Sequence, residues 1–156
     1  MSEPSLPERA LAIRRAAARL CRQLDWAPLH EVPLPNGRRA DILALRSDGR
    51  FVCIEVKSAP RDFLADLKWP DYREFADALF FAVDTDFPHT LLPQDTGLIV
   101  AAGMEAELMR DAPVHPVAAA RRRVLLHRFA VLAAGRLATL EDPQGAADLR
   151  AALRVE

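Results

Sequence analysis

The fold is decided by residues 38–57, which read RRADILALRSDGRFVCIEVK. Two largely apolar runs, 38–46 and 50–57, flank the turn-forming triplet Ser47-Asp48-Gly49, and the second run is rich in β-branched and aromatic residues. Glycine stands at the end of the triplet, where a three-residue hairpin loop needs a left-handed residue. The stretch therefore predicts two antiparallel strands joined by a three-residue loop.

The length of this loop decides which side chains meet across the two strands. A three-residue loop pairs Arg46 with Arg50 and places Asp41 directly across from Glu55. A two-residue turn would instead put Asp41 opposite Val56, on the other face of the sheet. The position of the glycine favours the first register, which brings two carboxylates together.

A lysine completes this pair of acids. Residues two apart on a strand point to the same face, so Glu55 and Lys57 stand side by side. Two carboxylates suit a hard cation such as Mg²⁺ or Mn²⁺, which would polarise a phosphoryl oxygen and activate water while Lys57 orients that water or stabilises developing charge. We therefore predict a site for phosphodiester hydrolysis at Asp41, Glu55 and Lys57. The alternative is that Asp41 ends a strand and the other two form an ordinary exposed ion pair.

Working outward from the hairpin, the pattern predicts an α/β protein with one mixed sheet and helices on its faces. The short apolar runs 79–84 and 97–101 are typical of strands buried on both faces, often parallel ones. The whole chain, residues 1–156, is predicted to be a single domain. The remaining predicted elements are a helix over 7–24, a strand over 29–34, a helix over 61–78 interrupted or restarted at Pro70, a short strand over 104–110, a helix over 116–137 and a last short helix within 142–156.

Composition excludes several classes of protein. The 156 residues are 51% hydrophobic, with a net charge of −1, which is incompatible with collagen, a disordered chain or a disulfide-stapled miniprotein. Without an apolar run long enough for a membrane span, and without a signal-peptide pattern at the N-terminus, a cytoplasmic location is expected. Cys21 and Cys53 are interpreted as small buried hydrophobes. Charge is uneven, because residues 41–112 carry seven basic and fourteen acidic side chains between two basic arms.

Several segments together resemble one bacterial family. They are RRADI (38–42), IEVKS (54–58), DFLADLKWPDY (62–72), FFAV (80–83), LP (92–93), GLI (97–99) and ARR (120–122). They are similar to the MmcB-like DNA-repair proteins, and the element order with an acid on one strand and acid-x-Lys on the next resembles the PD-(D/E)XK nuclease superfamily. The likeness runs over roughly residues 8–137.

This resemblance implies a restriction-endonuclease-like fold with an αβββαβ core. It also implies DNA repair linked to tolerance of cross-linking damage, by a Mg²⁺- or Mn²⁺-dependent nuclease in which Asp41, Glu55 and Lys57 are the catalytic triad and the first two bind the metal. Ala40 replaces the proline that gives the superfamily its name. The superfamily often adds an acid from the first helix, and Glu8 and Glu31 are the candidates here.

A second group of residues is predicted to contact DNA or to support the triad. On a continuous helix Lys68 and Tyr72 share one face, as DNA contacts would require, while Asp62 and Asp66 are candidates for a supporting shell near Lys57. Trp69 is expected to pack in the core. The arginine stripe of the first helix, with Arg39, Arg121 and Arg122, supplies candidate phosphate contacts.

The expected partners are DNA and other repair proteins, and no membrane. A non-catalytic DNA- or partner-binding module on the same fold is the rival hypothesis, and the residues alone do not separate DNA from RNA as substrate.

Overall fold

A computed structural model describes residues 2–154 and shows a mixed α/β fold in which helices flank one six-stranded sheet. The strands are β1 (Trp26–Pro33), β2 (Arg39–Arg46), β3 (Phe51–Val56), β4 (Ala78–Asp84), β5 (Gly97–Ala102) and β6 (Glu105–Arg110). The α-helices are α1 (Leu6–Gln23), α2 (Pro60–Ala65), α3 (Ala119–Glu141) and α4 (Pro143–Leu153), and two 3₁₀ helices span Trp69–Phe75 and His89–Leu91. No helix in this part of the chain is long and apolar enough to cross a membrane.

The strands lie in the sheet in the order in which they occur in the chain, from β1 to β6. β1, β2 and β3 are antiparallel, β3, β4 and β5 are parallel, and β6 returns antiparallel to β5. β4 is almost wholly buried, as its continuous apolar run predicts. The prediction of parallel strands over 79–84 and 97–101 is therefore confirmed.

The hairpin between β2 and β3 has the predicted three-residue loop. The N–H of Arg46 donates to the carbonyl of Arg50 at 2.9 Å, and Gly49 has a φ of 85°. Ile42 pairs with Ile54 at the far end of the ladder. The register is therefore the one that brings residues 41 and 55 face to face.

α1 packs along one face of the sheet through the apolar side that its sequence predicts. Its buried residues include Ile13, Ala17 and Leu20, and they contact the β2–β5 side chains of that face. Cys21 is also buried there, and Cys53 is buried on the opposite face, as expected for small hydrophobes. The helix begins with a capping box, in which Ser5 and Glu8 each accept a hydrogen bond from the other's backbone N–H.

The predicted helix over 61–78 is wrong in its extent. α2 ends at Ala65, and residues 66–68 are not helical. The carboxylate of Asp66 accepts a hydrogen bond from the N–H of Lys68 at 2.9 Å, a local bond that competes with continuation of the helix. Pro70 then lies in the first turn of the 3₁₀ helix. The segment that follows the hairpin is therefore two short helices with a bend between them.

α3 covers the other face of the sheet by few contacts. Leu125 and Phe129 are its buried residues, and the Phe129 ring packs edge-on against Phe51 at 5.7 Å. The helix begins three residues later and ends four residues later than the predicted 116–137. Its position is fixed by Asp77, whose buried carboxylate accepts hydrogen bonds from Arg122 and from the N–H groups of Phe51 and Val117.

Candidate active site

Asp41 and Glu55 meet where β2 and β3 separate. Oε1 of Glu55 accepts a hydrogen bond from the N–H of Asp41 at 3.2 Å, and Oδ2 of Asp41 accepts one from the N–H of Val56 at 2.8 Å. The ladder ends one pair earlier, at Ile42 and Ile54. The two carboxylates therefore occupy the places where the backbone ladder would otherwise continue, and each is held by the strand that carries the other.

The environment of this pair opposes ionisation. Glu55 is 3% exposed, and burial together with the charge of Asp41 raises its pKa to about 9. Burial also raises the pKa of Asp41, although the hydrogen bond from the N–H of Val56 opposes that change. Ionisation of both acids at once is unfavourable in this environment, so a bound cation would stabilise the doubly ionised pair.

Lys57 lies beside the pair, at the end of the same strand. Its N–H donates to the carbonyl of Ala82 at 3.0 Å, and its ammonium donates to Asp66 at 2.7 Å. Asp66 is partly buried, which opposes ionisation, but the hydrogen bond from Lys57 keeps its pKa below the usual value. Asp66 therefore lies near Lys57, as predicted, although it reaches that position from a bend and not from a helix.

Asp62 supports the same segment in a different way. Its carboxylate accepts a hydrogen bond from the hydroxyl of Ser58 at 2.9 Å. Ser58 is buried directly after Lys57. The two acids expected to support the triad therefore have different partners. Asp66 binds Lys57, and Asp62 binds Ser58.

The donor set fits a hard divalent cation of the Mg²⁺ type. Asp41 and Glu55 supply carboxylate oxygens, and Mg²⁺ commonly binds one or two carboxylates and keeps several waters. Over residues 2–154 no group of three or more His, Cys, Asp or Glu side chains has the arrangement of a protein-only metal cage. The two carboxylates would therefore hold a cation whose remaining ligands are water and substrate.

The two candidates for an additional acid differ in position. Glu8 belongs to the capping box of α1, where the hydrogen bonds from Ser5 lower its pKa. Glu31 has a φ of 48° and lines the same pocket as Asp41. Of the two, only Glu31 is placed beside the acidic pair.

Lys68 and Tyr72 do not share a helix face, because the helix that would align them is broken. The hydroxyl of Tyr72 donates to the carbonyl of Arg39 at 3.0 Å, and the ring is buried. Tyr72 is therefore a packing residue that joins the 3₁₀ helix to β2, which corrects its prediction as a DNA contact. Lys68 and Arg39 are exposed. Trp69 packs against Phe81, with ring centroids 5.5 Å apart, as the core prediction requires.

The arginines at the start of α3 are engaged within the protein. Arg122 forms a paired contact with the buried carboxylate of Asp77 and also donates to the carbonyl of Gly49. Arg121 lies over the ring of Phe75 at 5.8 Å. Arg122 therefore fixes α3 through these bonds, and its contact with phosphate stays a prediction.

Arg14 was not singled out by sequence reasoning within the arginine stripe of α1. Its guanidinium lines the pocket that also contains Asp41 and Glu31. The available signal was helical spacing, because Arg14 follows Ile13 directly and so borders the buried face, whereas Arg15 is exposed. Helical spacing therefore predicts that Arg14 lies at the edge of the buried face of α1, but it does not predict which strands Arg14 contacts.

Fold and site together define a mixed α/β protein in which a buried glutamate, a half-buried aspartate and a lysine meet at the ends of two adjacent strands. The chain belongs to the MmcB-like family, since the family model described as "DNA repair protein MmcB-like" matches residues 1–144. A solved structure, titled SPO1766 protein of unknown function from Silicibacter pomeroyi, is 41% identical with a TM-score of 0.84, over 88% of this chain and 94% of that chain. Comparison with curated proteins finds no match.

Proposed function

We propose that this protein is a DNA-repair deoxyribonuclease that requires Mg²⁺ or Mn²⁺ and has the restriction-endonuclease-like arrangement of the PD-(D/E)XK superfamily. The observation that supports this most is the convergence of Asp41 and Glu55 with Lys57 beside them. Family membership supports a role in repair. Tolerance of cross-linking damage, a cytoplasmic location and a single domain over residues 1–156 belong to the same proposal.

Each residue of the triad has its own task in this mechanism. Asp41 and Glu55 hold the cation, which when bound supplies positive charge that polarises the phosphate and makes water easier to deprotonate. Lys57 donates a hydrogen bond either to the attacking water or to the phosphoryl oxygens on which negative charge develops. Asp66 orients Lys57 through the 2.7 Å hydrogen bond, so it is a positioning residue.

Cleavage of defined DNA substrates by the purified protein tests the proposal. The substrates are single-stranded, duplex, flapped and cross-linked DNA, each incubated with Mg²⁺, with Mn²⁺ or with EDTA. We expect metal-dependent cleavage of at least one substrate, and loss of about 10³-fold or more of the rate in Glu55→Ala, because the charge that stabilises the transition state would no longer be held.

Glu107→Gln is a matched control, since this acid lies exposed on β6, away from the triad. It should cleave like the wild type. Cleavage that persists in EDTA, or a fully active Glu55→Ala protein that retains its fold by circular dichroism, would contradict the proposal.

A non-catalytic DNA- or partner-binding module is the second candidate function. The observation that favours it is that Asp41 and Glu55 already accept backbone hydrogen bonds, which gives them a structural role. Calorimetric titration of Mg²⁺ into the wild type and Asp41→Ala separates the two candidates. Absence of metal binding in both proteins supports the binding module, whereas binding to the wild type alone supports the nuclease.

A further inference from the structure

A pocket of about 300 Å³ opens between the first half of α1 and the ends of β1, β2 and β3. Arg14 and Glu31 line it together with Asp41 and Val56, and α1 adds Ala10 and Leu11. The pocket therefore adjoins the carboxylate pair but takes its positive charge from another element, α1.

The guanidinium of Arg14 has unused hydrogen-bonding capacity. Its Nε is buried and has no hydrogen-bond partner within residues 2–154. Its Nη1 lies 3.6 Å from Oε1 of Glu31, which is an ion pair but longer than a hydrogen bond. Buried arginine donors are normally satisfied, so an unpaired one on a residue that lines a pocket favours a ligand that accepts hydrogen bonds.

Glu31 contacts Arg14 from an unusual backbone conformation. It lies in β1 between the pairs His30–Ile42 and Val32–Ala40, yet its φ of 48° is left-handed. Arg136 of α3 donates to the carbonyls of both His30 and Glu31 and so holds this conformation. The Glu31 side chain remains about half exposed, so it can leave Arg14 when a stronger anion arrives.

We propose that Arg14 binds a backbone phosphate of DNA in this pocket, next to the bond that the triad would cleave, and that Glu31 occupies Arg14 until the phosphate displaces it. This inference rests on the proposed function, because it assigns the pocket to the same substrate. A phosphate group fits the requirement, since two of its oxygens accept two parallel hydrogen bonds from one guanidinium and it carries the charge that Glu31 now supplies.

The test is the salt dependence of DNA binding, measured by fluorescence anisotropy in EDTA so that neither metal nor cleavage contributes. Removing one phosphate contact should reduce the slope of log K against log salt by about 1. We expect this change, and about tenfold weaker binding at low salt, in Arg14→Gln. Arg150→Gln is the matched control, because it removes the same charge from an exposed position on α4, outside the arginines predicted to contact phosphate.

Glu31→Gln tests the second half of the proposal. It should tighten binding in the wild-type background and have no effect in the Arg14→Gln background, because the competition requires both residues. Equal slopes for Arg14→Gln and Arg150→Gln would overturn the phosphate site. If Glu31→Gln abolished Mg²⁺-dependent cleavage with DNA binding unchanged, Glu31 would be a metal ligand and its role as competitor would be wrong.

Cleavage is scored separately with the same proteins in Mg²⁺. A wild type that cleaves nothing but shows the Arg14-dependent slope would overturn the nuclease and retain the phosphate site. A wild type that cleaves DNA but shows no Arg14-dependent slope would overturn the phosphate site and retain the nuclease.

Discussion

Asp41 donates its backbone N–H to the Glu55 carboxylate, while its own carboxylate accepts the N–H of the residue that follows Glu55, at 3.2 and 2.8 Å respectively. The acids are thus placed mainly by backbone atoms, and the thiol of Cys53 also donates to Oε1 of Glu55 at 3.7 Å. Positions on rigid strands are suited to holding ligands at fixed separation. The same arrangement holds two carboxylates close together, with Glu55 buried, and this lowers the stability of the folded protein when both are ionised.

Glu55→Gln should stabilise the folded protein at neutral pH. The pKa of Glu55 is about 9 in the folded state against 4.5 ordinarily, so the folded protein binds the proton more tightly and loses stability as pH rises from about 4.5 to 9. Glutamine keeps the acceptor for Asp41 without a charge. We expect the free energy of unfolding to increase by roughly 1–3 kcal/mol at pH 7.5. Calorimetry should show this as a rise in Tm of about 2–4 °C for each kcal/mol. The gain should vanish at pH 4, and a destabilised variant at pH 7.5 would contradict this pKa.

Mg²⁺ or Mn²⁺ should raise the Tm of the wild type in proportion to the logarithm of its concentration. A ligand that binds only the folded state stabilises by about 2.7 kcal/mol at a hundredfold excess over Kd. Asp41→Asn and Glu55→Gln should show little or none of this increase. An equal increase in these variants would place the cation elsewhere, and Glu107→Gln controls for nonspecific effects of removing one negative charge.

Asp66→Asn should reduce cleavage in a protein that still folds. The ion pair with Lys57 is largely buried, with side chains 10% and 17% exposed, and asparagine keeps an oxygen that can accept the hydrogen bond from the ammonium. Loss of the charge that orients Lys57 should lower kcat by about 10- to 100-fold. KM should change little if Asp66 acts only through Lys57. Asp71→Asn is the control, because it removes a carboxylate from the same segment whose partner is the distant Arg38. Equal effects of both variants would indicate general loosening of the segment.

Asp77→Ala should be among the most destabilising single substitutions. It leaves Arg122 and two backbone N–H groups without their acceptor, which costs about 3–5 kcal/mol at pH 7 by urea denaturation. Burial opposes ionisation of Asp77, but the bonds from Arg122, Val117 and Phe51 lower its pKa. The stabilisation is therefore present above about pH 3.8 and is lost as pH falls through the folded pKa. A difference between wild type and variant that persists undiminished below that pKa would contradict the ionic origin.

Two glycines should respond in opposite directions to alanine. A Cβ at Gly97 would lie 2.2 Å from the ring of Phe80, so Gly97→Ala should destabilise the protein by about 1–3 kcal/mol. Gly135 lies inside α3 with open space around it, so Gly135→Ala should stabilise by about 0.5–1 kcal/mol. Both values come from chemical denaturation, and stabilisation by Gly97→Ala would show that the ring can move.

The sheet and the pairing of its acids could be predicted because they depend on local signals. The glycine in a three-residue loop sets the register of the hairpin, and a period of two then determines that Asp41 faces Glu55. The short, continuous apolar runs of β4 and β5 are equally local evidence for buried strands. Each of these inferences involves residues that are close in the chain or a pattern that one segment carries alone.

The errors arose where distant contacts outweigh local preference. Residues 61–78 have a helical pattern, but the carboxylate of Asp66 bonds to Lys57 and to a nearby N–H, and the helix ends before it. The sequence predicts a phosphate contact for Arg122 but does not reveal its partner within the fold, because the buried acid that it binds lies 45 residues away in the chain. Arg14 was overlooked because only the folded chain brings α1 to the ends of β1 and β2.

The chain-order arrangement of the strands has a consequence for how the protein folds. Each strand pairs with its immediate predecessor, so no strand has to enter between two earlier ones. The antiparallel pairs close short loops, whereas the parallel pair β3–β4 needs the crossover over residues 57–77. The β2–β3 hairpin, which carries both acids of the site, spans only residues 39–56. We therefore expect this local pairing to bring the acids together, and Arg14 and Lys57 to acquire their surroundings when α1 and β4 dock.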